Sequence, residues 1–180
     1  MRMKKLLEGH HTRLTRFQSE DTEVMQRLLD DATFARHFSA TPYRHLSKEK
    51  IEQMMATDAP ETFRFAIRNF EDERMIGMVA LEDILPTHGT AWLMIGIDPD
   101  CEGQGYATDA LQTILEYAFF ELNLYRIQLT VFEYNTRAVK LYERLGFVQE
   151  GRYRAFLRRD GERHDMLLYG LLEPEWRDRQ

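Results

Sequence analysis

A short loop that contains two glycines lies between an apolar strand and a long amphipathic helix, and its composition is typical of a phosphate-binding turn. Glycine lets the backbone turn tightly with its N–H groups pointing inward, and the start of the next helix adds unpaired donors with positive dipole character. Such a loop binds a phosphate or a pyrophosphate. Its residues are Glu102, Gly103, Gln104, Gly105, Tyr106, Ala107 and Thr108.

Two well-known phosphate loops do not match this segment. A P-loop requires a lysine after its last glycine, whereas Tyr106 follows Gly105 here. A dinucleotide-binding fingerprint requires Gly or Ala at the sixth position from Gly103, which is Thr108 in this chain. A plain helix-capping turn, with glycines present only for tightness, stays open as the alternative at this point.

A second group of candidate residues shares one face of a predicted helix. Asn135, Ala138 and Tyr142 are spaced i, i+3 and i+7, so their side chains point to the same side. Asn135 is a typical N-cap, and Gly146 is suited to the left-handed conformation that ends a helix. The small Ala138 leaves room for a molecule to lie close. A core-edge tyrosine with a hydrated hydroxyl is the alternative interpretation of Tyr142.

Four motifs in order along the second half of the chain resemble the GNAT superfamily of acetyl-coenzyme A dependent N-acetyltransferases. Within it, the pattern is similar to the branch that contains ribosomal-protein N-terminal acetyltransferases and spermidine N-acetyltransferases. The resemblance runs from about Trp92 to the C-terminus, and the first ninety residues match only in the order of strands and helices. The motifs are Gly103–Thr108, Glu116–Phe119, Asn135–Phe147 and Glu150–Gly151.

The resemblance implies an α/β GNAT fold, with a mixed, mostly antiparallel twisted sheet flanked by helices and with splayed central strands. The pantetheine arm of acetyl-CoA would pair with the backbone of the strand that holds Ile95 and Ile97. The pyrophosphate would lie on the loop amides from Glu102 to Thr108. The family usually has Arg or Gln where this chain has Glu102, so we expect that carboxylate to point to solvent.

The resemblance also implies roles for the shared helix face. Tyr142 would act as the general acid that protonates the departing thiolate, and Asn135 would contact the cofactor beside Ala138. The oxyanion would accept a hydrogen bond from a backbone N–H between Ile95 and Ile97. The family favours direct attack of the amine, so we expect no covalent role for Cys101.

Glu82 is the candidate general base, because it ends a predicted hairpin strand beside the splayed strand. It would act directly or through water, and an exposed strand-end carboxylate without a role is the alternative. A protein α-amine with a pKa near 7.8 needs about 1 kcal/mol for deprotonation at pH 7, whereas a lysine-like amine needs about 4.6 kcal/mol. An N-terminal acceptor therefore makes less demand on the base.

The acceptor and the activity remain open among three hypotheses. The first is an N-acetyltransferase that acts on a protein N-terminal α-amine, as ribosomal-protein enzymes do, or on a small amine. The second is a polyamine acetyltransferase, which the absence of acidic residues from Phe38 to Tyr43 disfavours. The third is a non-catalytic acyl-CoA binding or sensing module, which would have no need of Tyr142 with Asn135.

Charge and cysteine content exclude several other classes. The 180 residues carry 24 Lys and Arg against 30 Asp and Glu, for a net charge of -6. This balance argues against nucleic acid or an anionic membrane as a partner. A lone cysteine, Cys101, predicts a reducing, cytoplasmic location, and no Cys or His cluster has metal-site spacing. Family members are monomers or homodimers, and both stay open.

The elements that position these residues follow from hydrophobic periodicity. We expect one domain over residues 1–180, with cofactor-binding motifs at about 92–147 and an acceptor side at about 10–90. Helices are predicted from Ser19, from Ser47, over Ala107–Leu122 and over Asn135–Leu145, and a loop or broken helix over Ala32–His45. Strands are predicted over Thr12–Phe17, Phe63–Asn69, Met75–Glu82, Thr90–Ile97, Tyr125–Phe132 and His164–Leu172, with another from Phe147 onward.

Overall fold

A seven-stranded sheet runs through the computed structural model, which describes residues 6–56 and 59–179. Its strand order is β1-β2-β3-β4-β5-β7-β6, and all neighbours are antiparallel except the parallel pair β4 and β5. This architecture confirms the expected mixed, mostly antiparallel sheet. The strands are β1 (Thr12–Thr15), β2 (Phe63–Asn69), β3 (Met75–Leu85), β4 (Thr90–Ile97), β5 (Arg126–Phe132), β6 (Val148–Arg159) and β7 (Glu162–Leu172).

Six α-helices in the described ranges flank the sheet. Ser47 caps its helix as predicted, by accepting a hydrogen bond from the Lys50 amide. The prediction that Ser19 caps the first helix was wrong, because that helix begins after Glu20 without a side-chain cap. The helices are α1 (Asp21–Asp30), α2 (Ala32–Phe38), α3 (Lys48–Met55), α4 (Tyr106–Glu116), α5 (Thr136–Leu145) and α6 (Glu173–Arg177).

The segment left open as a loop or broken helix contains α2. The Asp31 carboxylate caps this helix by accepting a hydrogen bond from the Phe34 amide at 2.8 Å. Phe34 is buried and stacks on Phe38, with the ring centroids 5.4 Å apart. A short helix that lacks a clear apolar period is thus held by its cap and by two aromatic anchors.

Two apolar clusters cover the two faces of the sheet. The apolar stripe of α4 packs on one face, and residues of α1, α2 and α3 pack on the other. Met78 and Val79 are neighbours on β3 but belong to different clusters, as side-chain alternation along a strand requires. The loop before α4 and the N-terminal helices therefore lie on opposite sides of the sheet.

A buried carboxylate joins the start of β1 to α4. Asp109, in the first turn of α4, accepts hydrogen bonds from the amides of His10, His11 and Thr12 at 2.7, 3.0 and 2.8 Å. It also accepts one from the Thr12 hydroxyl at 2.7 Å. Burial alone would raise the pKa of Asp109, but these hydrogen bonds outweigh it and lower the pKa. At neutral pH the carboxylate is therefore ionised, and both of its oxygens accept hydrogen bonds.

We expect Asp109→Ala to destabilise the fold, because three backbone N–H groups would lose their acceptor. Each unsatisfied buried donor costs about 1–3 kcal/mol, so the free energy of unfolding should fall by about 3 kcal/mol or more. Since folding lowers the pKa of Asp109, its contribution should be present above pH 4–5 and be lost on acidification. Urea unfolding measures both effects. Gln112→Ala, on the exposed face of α4, is the control, and equal losses in the two variants would contradict the assignment.

Candidate active site

The central feature of the site is a gap between β4 and β5. These strands pair only where Thr90–Trp92 face Arg126–Gln128. Beyond that point β4 stays paired with β3 on its other edge, and β5 stays paired with β7. Among the residues that the structure describes, the edge of β4 that faces β5 therefore has no strand partner from Leu93 to Ile97, which includes Ile95 and Ile97. An open strand edge of this kind can hydrogen-bond an extended ligand.

The glycine loop follows the open end of β4. Gly103 and Gly105 have φ of +79° and +85°, and Gly105 is the N-cap of α4. No atom lies within 4 Å of the position that a Cβ on Gly105 would occupy. The first hydrogen bond of the helix runs from the Asp109 amide to the Gly105 carbonyl, at 3.0 Å. Among the described residues, the amides of Tyr106, Ala107 and Thr108 therefore stay free to bind an anion.

Glu102 does not leave an unpaired negative charge beside this loop. Its side chain is exposed and forms an ion pair with Arg137, in the first turn of α5. Arg137 also lies beside Gly103, 3.8 Å from the position that a Cβ there would occupy. The pair removes the net charge of Glu102 and connects the loop to α5. The exposed position is the one expected from the sequence, but the guanidinium partner was not foreseen.

The predicted face of α5 forms as expected. Asn135 caps the helix, because its side-chain oxygen accepts a hydrogen bond from the Ala138 amide at 3.3 Å. Tyr142 is only 8% exposed, and its ring meets the edge of Phe147 at 5.8 Å. Burial raises the pKa of Tyr142 to about 12, so its hydroxyl keeps its proton at neutral pH. Within the described ranges that hydroxyl has no hydrogen-bond partner.

A cavity of about 340 Å³ lies on the face of the sheet opposite α4. It reaches β4 at Met94, next to the residue where the gap begins. Its apolar lining includes Leu29, Phe38, Leu46, Met54, Met78 and Met94. Its charged lining consists of Arg44, Lys50, Arg64 and Glu82. The cavity and the gap thus both border β4 near Leu93 and Met94, the cavity on one face of the sheet and the gap along the edge of the strand.

Glu82 lines this cavity and is anchored by one cation. Its Oε1 atom accepts a hydrogen bond from Arg64 Nε at 2.9 Å and lies 2.8 Å from a second guanidinium nitrogen. Arg64 also donates to the Ala56 carbonyl, at 3.0 Å. In the described part of the chain Oε2 has no partner, so this oxygen of a cavity-lining residue is a free acceptor. With its side chain 27% exposed, Glu82 is half-buried and not the exposed strand-end carboxylate of the alternative interpretation.

Three cationic residues of the cavity, Arg44, Lys50 and Arg64, were not predicted from the sequence. Arg64 could have been found from the predicted hairpin, because it pairs with Ala80 and thereby shares a face with Glu82. Arg44 and Lys50 carry no such signal, since the path of the chain between α2 and α3 is irregular. Their position depends on how these helices pack, which a single sequence does not display.

Cys101 lies close to the loop in sequence but is buried, at 2% exposure. Burial raises the pKa of its thiol, which disfavours the reactive thiolate.

Over residues 6–56 and 59–179, no three His, Cys, Asp or Glu side chains are grouped to hold a metal ion. No described helix is long and apolar enough to cross a membrane.

Known proteins are similar to this chain in sequence and in fold. The family model of the acetyltransferase (GNAT) domain matches residues 11–148. The spermidine N(1)-acetyltransferase of Escherichia coli is 31% identical over 144 residues, which cover 79% of this chain and 76% of the relative. The uncharacterized N-acetyltransferase p20 of Bacillus licheniformis is 28% identical over 166 residues, which cover 91% of this chain and 93% of the relative.

A solved structure of a spermidine N-acetyltransferase has a similar fold. The spermidine N-acetyltransferase of Vibrio cholerae, in complex with CoA and spermine, superimposes with a TM-score of 0.84 and 26% identity. The match covers 92% of this chain and 98% of that one. The open edge of β4, the free amides at the start of α4 and the glycine turn fit an extended thioester with a pyrophosphate. The chain belongs to the GNAT acetyltransferase family and is an N-acetyltransferase that uses acetyl-CoA as its cosubstrate.

Proposed function

We propose that this enzyme acetylates the α-amine of a protein N-terminus or of a small molecule by direct attack. The observation that carries the proposal is the cavity containing Glu82, which meets β4 where the gap to β5 begins. An amine in this cavity has a proton acceptor on one side and the open strand edge on the other. Residues 10–90 supply the acceptor side and residues 92–147 the cofactor side of one domain.

The cofactor side binds acetyl-CoA through backbone groups. Within the loop from Glu102 to Thr108, the free amides of Tyr106–Thr108 hold the pyrophosphate at the start of α4, where the helix dipole favours negative charge. The Glu102 amide does not contribute, because it donates to the Pro99 carbonyl at 3.3 Å. The backbone at Ile95 and Ile97 pairs with the pantetheine arm along the open edge of β4. Asn135 and Ala138 line the same passage from α5. Acetyl-CoA supplies an acetyl group that its thioester bond already activates.

The chain's own residues then move two protons. Oε2 of Glu82 accepts a proton from the ammonium group of the acceptor, directly or through one water molecule, and leaves a neutral amine. A backbone N–H of β4 between Ile95 and Ile97 donates to the carbonyl oxygen as negative charge develops on it. Tyr142 donates its proton to the departing sulfur, and its high pKa ensures that the proton is present. The nitrogen loses its second proton to water as the carbon–sulfur bond breaks, and water returns a proton to the Tyr142 phenolate. Glu82 releases the first proton to solvent, so one turnover yields the amide, the free thiol and one proton.

Polyamine acetylation is the second candidate, because the relatives from Escherichia coli and Vibrio cholerae are spermidine enzymes. The third alternative from the sequence, a non-catalytic acyl-CoA sensor, does not fit a chain that belongs to an acetyltransferase family. A cytoplasmic location, expected from the lone Cys101, and a monomeric or homodimeric state stay predictions.

Calorimetric titration with acetyl-CoA, followed by thiol-release assays, tests the proposal. We expect micromolar binding and thiol release with an α-amine peptide or a small α-amine. Binding followed by release with spermidine alone would favour the polyamine candidate. Binding without release on spermidine, an amine panel or N-terminal peptides would contradict the proposed acceptor.

Gly105→Val should weaken acetyl-CoA binding at least tenfold, because the side chain would enter the open space above the loop amides. The matched control is Gly161→Val, since Gly161 has φ of +86° and equally open surroundings in the turn between β6 and β7. Both variants carry the same backbone strain, so both should lose thermal stability. Equal calorimetric Kd values for acetyl-CoA in the two variants would contradict a pyrophosphate site at this loop.

Tyr142→Phe should lower kcat about 100-fold and leave the Kd of acetyl-CoA unchanged, since only the proton donor is lost. Because the pKa of Tyr142 is raised to about 12, the wild-type rate should show no loss from its ionisation below about pH 10. Steady-state kinetics between pH 6 and 10 check both statements. Tyr125→Phe, at an exposed tyrosine, is the control, and a wild-type kcat in Tyr142→Phe would exclude the general-acid role.

Glu82→Gln should lower kcat/KM about fivefold at pH 7 with an α-amine acceptor, because the amide does not accept the ammonium proton and solvent must supply the deprotonation that costs about 1 kcal/mol. The loss should shrink as the pH rises, since solvent then deprotonates the amine. A pH profile of kcat/KM distinguishes this role from a structural one, which would give a loss independent of pH. Glu52→Gln, at an exposed residue of α3, is the control.

A further inference from the structure

The charges of the acceptor cavity do not balance. Arg64 and Glu82 form an ion pair and cancel each other. Arg44 and Lys50 line the same cavity, and neither has an acidic partner among residues 6–56 and 59–179. The cavity therefore offers two uncompensated positive charges, on the chain segment and the helix that follow α2.

Most of the remaining lining is apolar and rich in methionine, and Ser39, Thr41 and Tyr43 add three hydroxyl-bearing side chains. Met54, Met78 and Met94 contribute side chains from α3, β3 and β4, and Phe38 and Leu46 complete the wall. Flexible thioethers adapt to apolar groups of varied shape. The size of the cavity, about 340 Å³, suits a compact molecule, since ligand pockets range upward from about 300 Å³.

We infer that the acceptor is an α-amine that carries an apolar body and a carboxylate, with Arg44 and Lys50 binding the carboxylate. The inference rests on the proposed function and specifies its substrate class. The amine lies at Oε2 of Glu82, the apolar body lies on the methionines, and the carboxylate faces the two cations. A free apolar amino acid has this chemistry, and so does a peptide whose second residue is acidic.

The same charges work against a polyamine. Spermidine carries several ammonium groups but no anion, so placing its charges beside Arg44 and Lys50 repels them while Glu82 attracts only one. Because Arg44 and Lys50 are exposed, this repulsion should weaken as the salt concentration rises. The enzyme should therefore discriminate against the substrate of its spermidine-acetylating relatives.

Substrate pairs on the wild-type enzyme give the first test. Thiol release is measured with leucine against leucinamide, with Leu-Asp-amide against Leu-Asn-amide, and with spermidine, and kcat/KM is expressed per neutral amine. We expect the carboxylate member of at least one pair to exceed its amide partner tenfold or more, with spermidine below both. Preference in the first pair identifies a free amino acid, and preference in the second identifies a peptide N-terminus. No preference in either pair would overturn the inference.

Two variants give the second test. Arg44→Gln and Lys50→Gln should each lower the carboxylate-to-amide ratio of kcat/KM about tenfold, while the Kd of acetyl-CoA stays unchanged. Lys48→Gln is the matched control, because Lys48 lies on the same helix turn outside the cavity. An unchanged ratio in both variants would overturn the inference while the acetyltransferase stands. An absence of thiol release with every amine would overturn the proposed function as well.

Discussion

The backbone of β4 has two edges, and only the edge toward β3 is paired along the whole strand. Backbone N–H and C=O groups need partners once water is excluded, so the edge left open beyond Trp92 has to be completed by something other than this sheet. The packing of α2 maintains this arrangement. A Cβ at Gly96 would lie 2.8 Å from the Phe34 ring, which shows how closely the helix covers the splayed strand.

Around this gap, backbone groups and side chains have different proposed roles. Backbone groups face the cofactor side, where Gly105 and the first turn of α4 present amides and Arg137 cancels the charge of Glu102. In the proposed mechanism, side chains perform the proton transfers. Burial keeps the proton on Tyr142, and Arg64 occupies one oxygen of Glu82 while leaving the other free. The two proton-transfer groups thus differ in environment as their opposite roles require.

Sequence reasoning predicted well the features that depend on local pattern. The hairpin of β2 and β3, the bounds of β4 and the caps of α5 follow from periodicity, Asn135 and Gly146, and all are present. It failed where packing decides the structure. The helix at Ala32–Phe38 has no clean period, and the apolar pattern expected to continue α4 to Leu122 changes after Glu116 into a π-helical turn. The cations of the cavity are far apart in sequence, so only the packed helices reveal them together.

The two apolar clusters have a consequence for how such an enzyme can be altered. The cluster beneath α4 supports the glycine loop, whereas Met25, Leu28, Phe34 and Ile51 form a separate cluster beneath the acceptor cavity. Because the sheet separates them, substitutions of partly buried cavity residues such as Leu46 or Met54 leave the packing of the first cluster intact. New acceptor selectivity can therefore be introduced by redesigning one face of the sheet, with the acetyl donor's half retained unchanged.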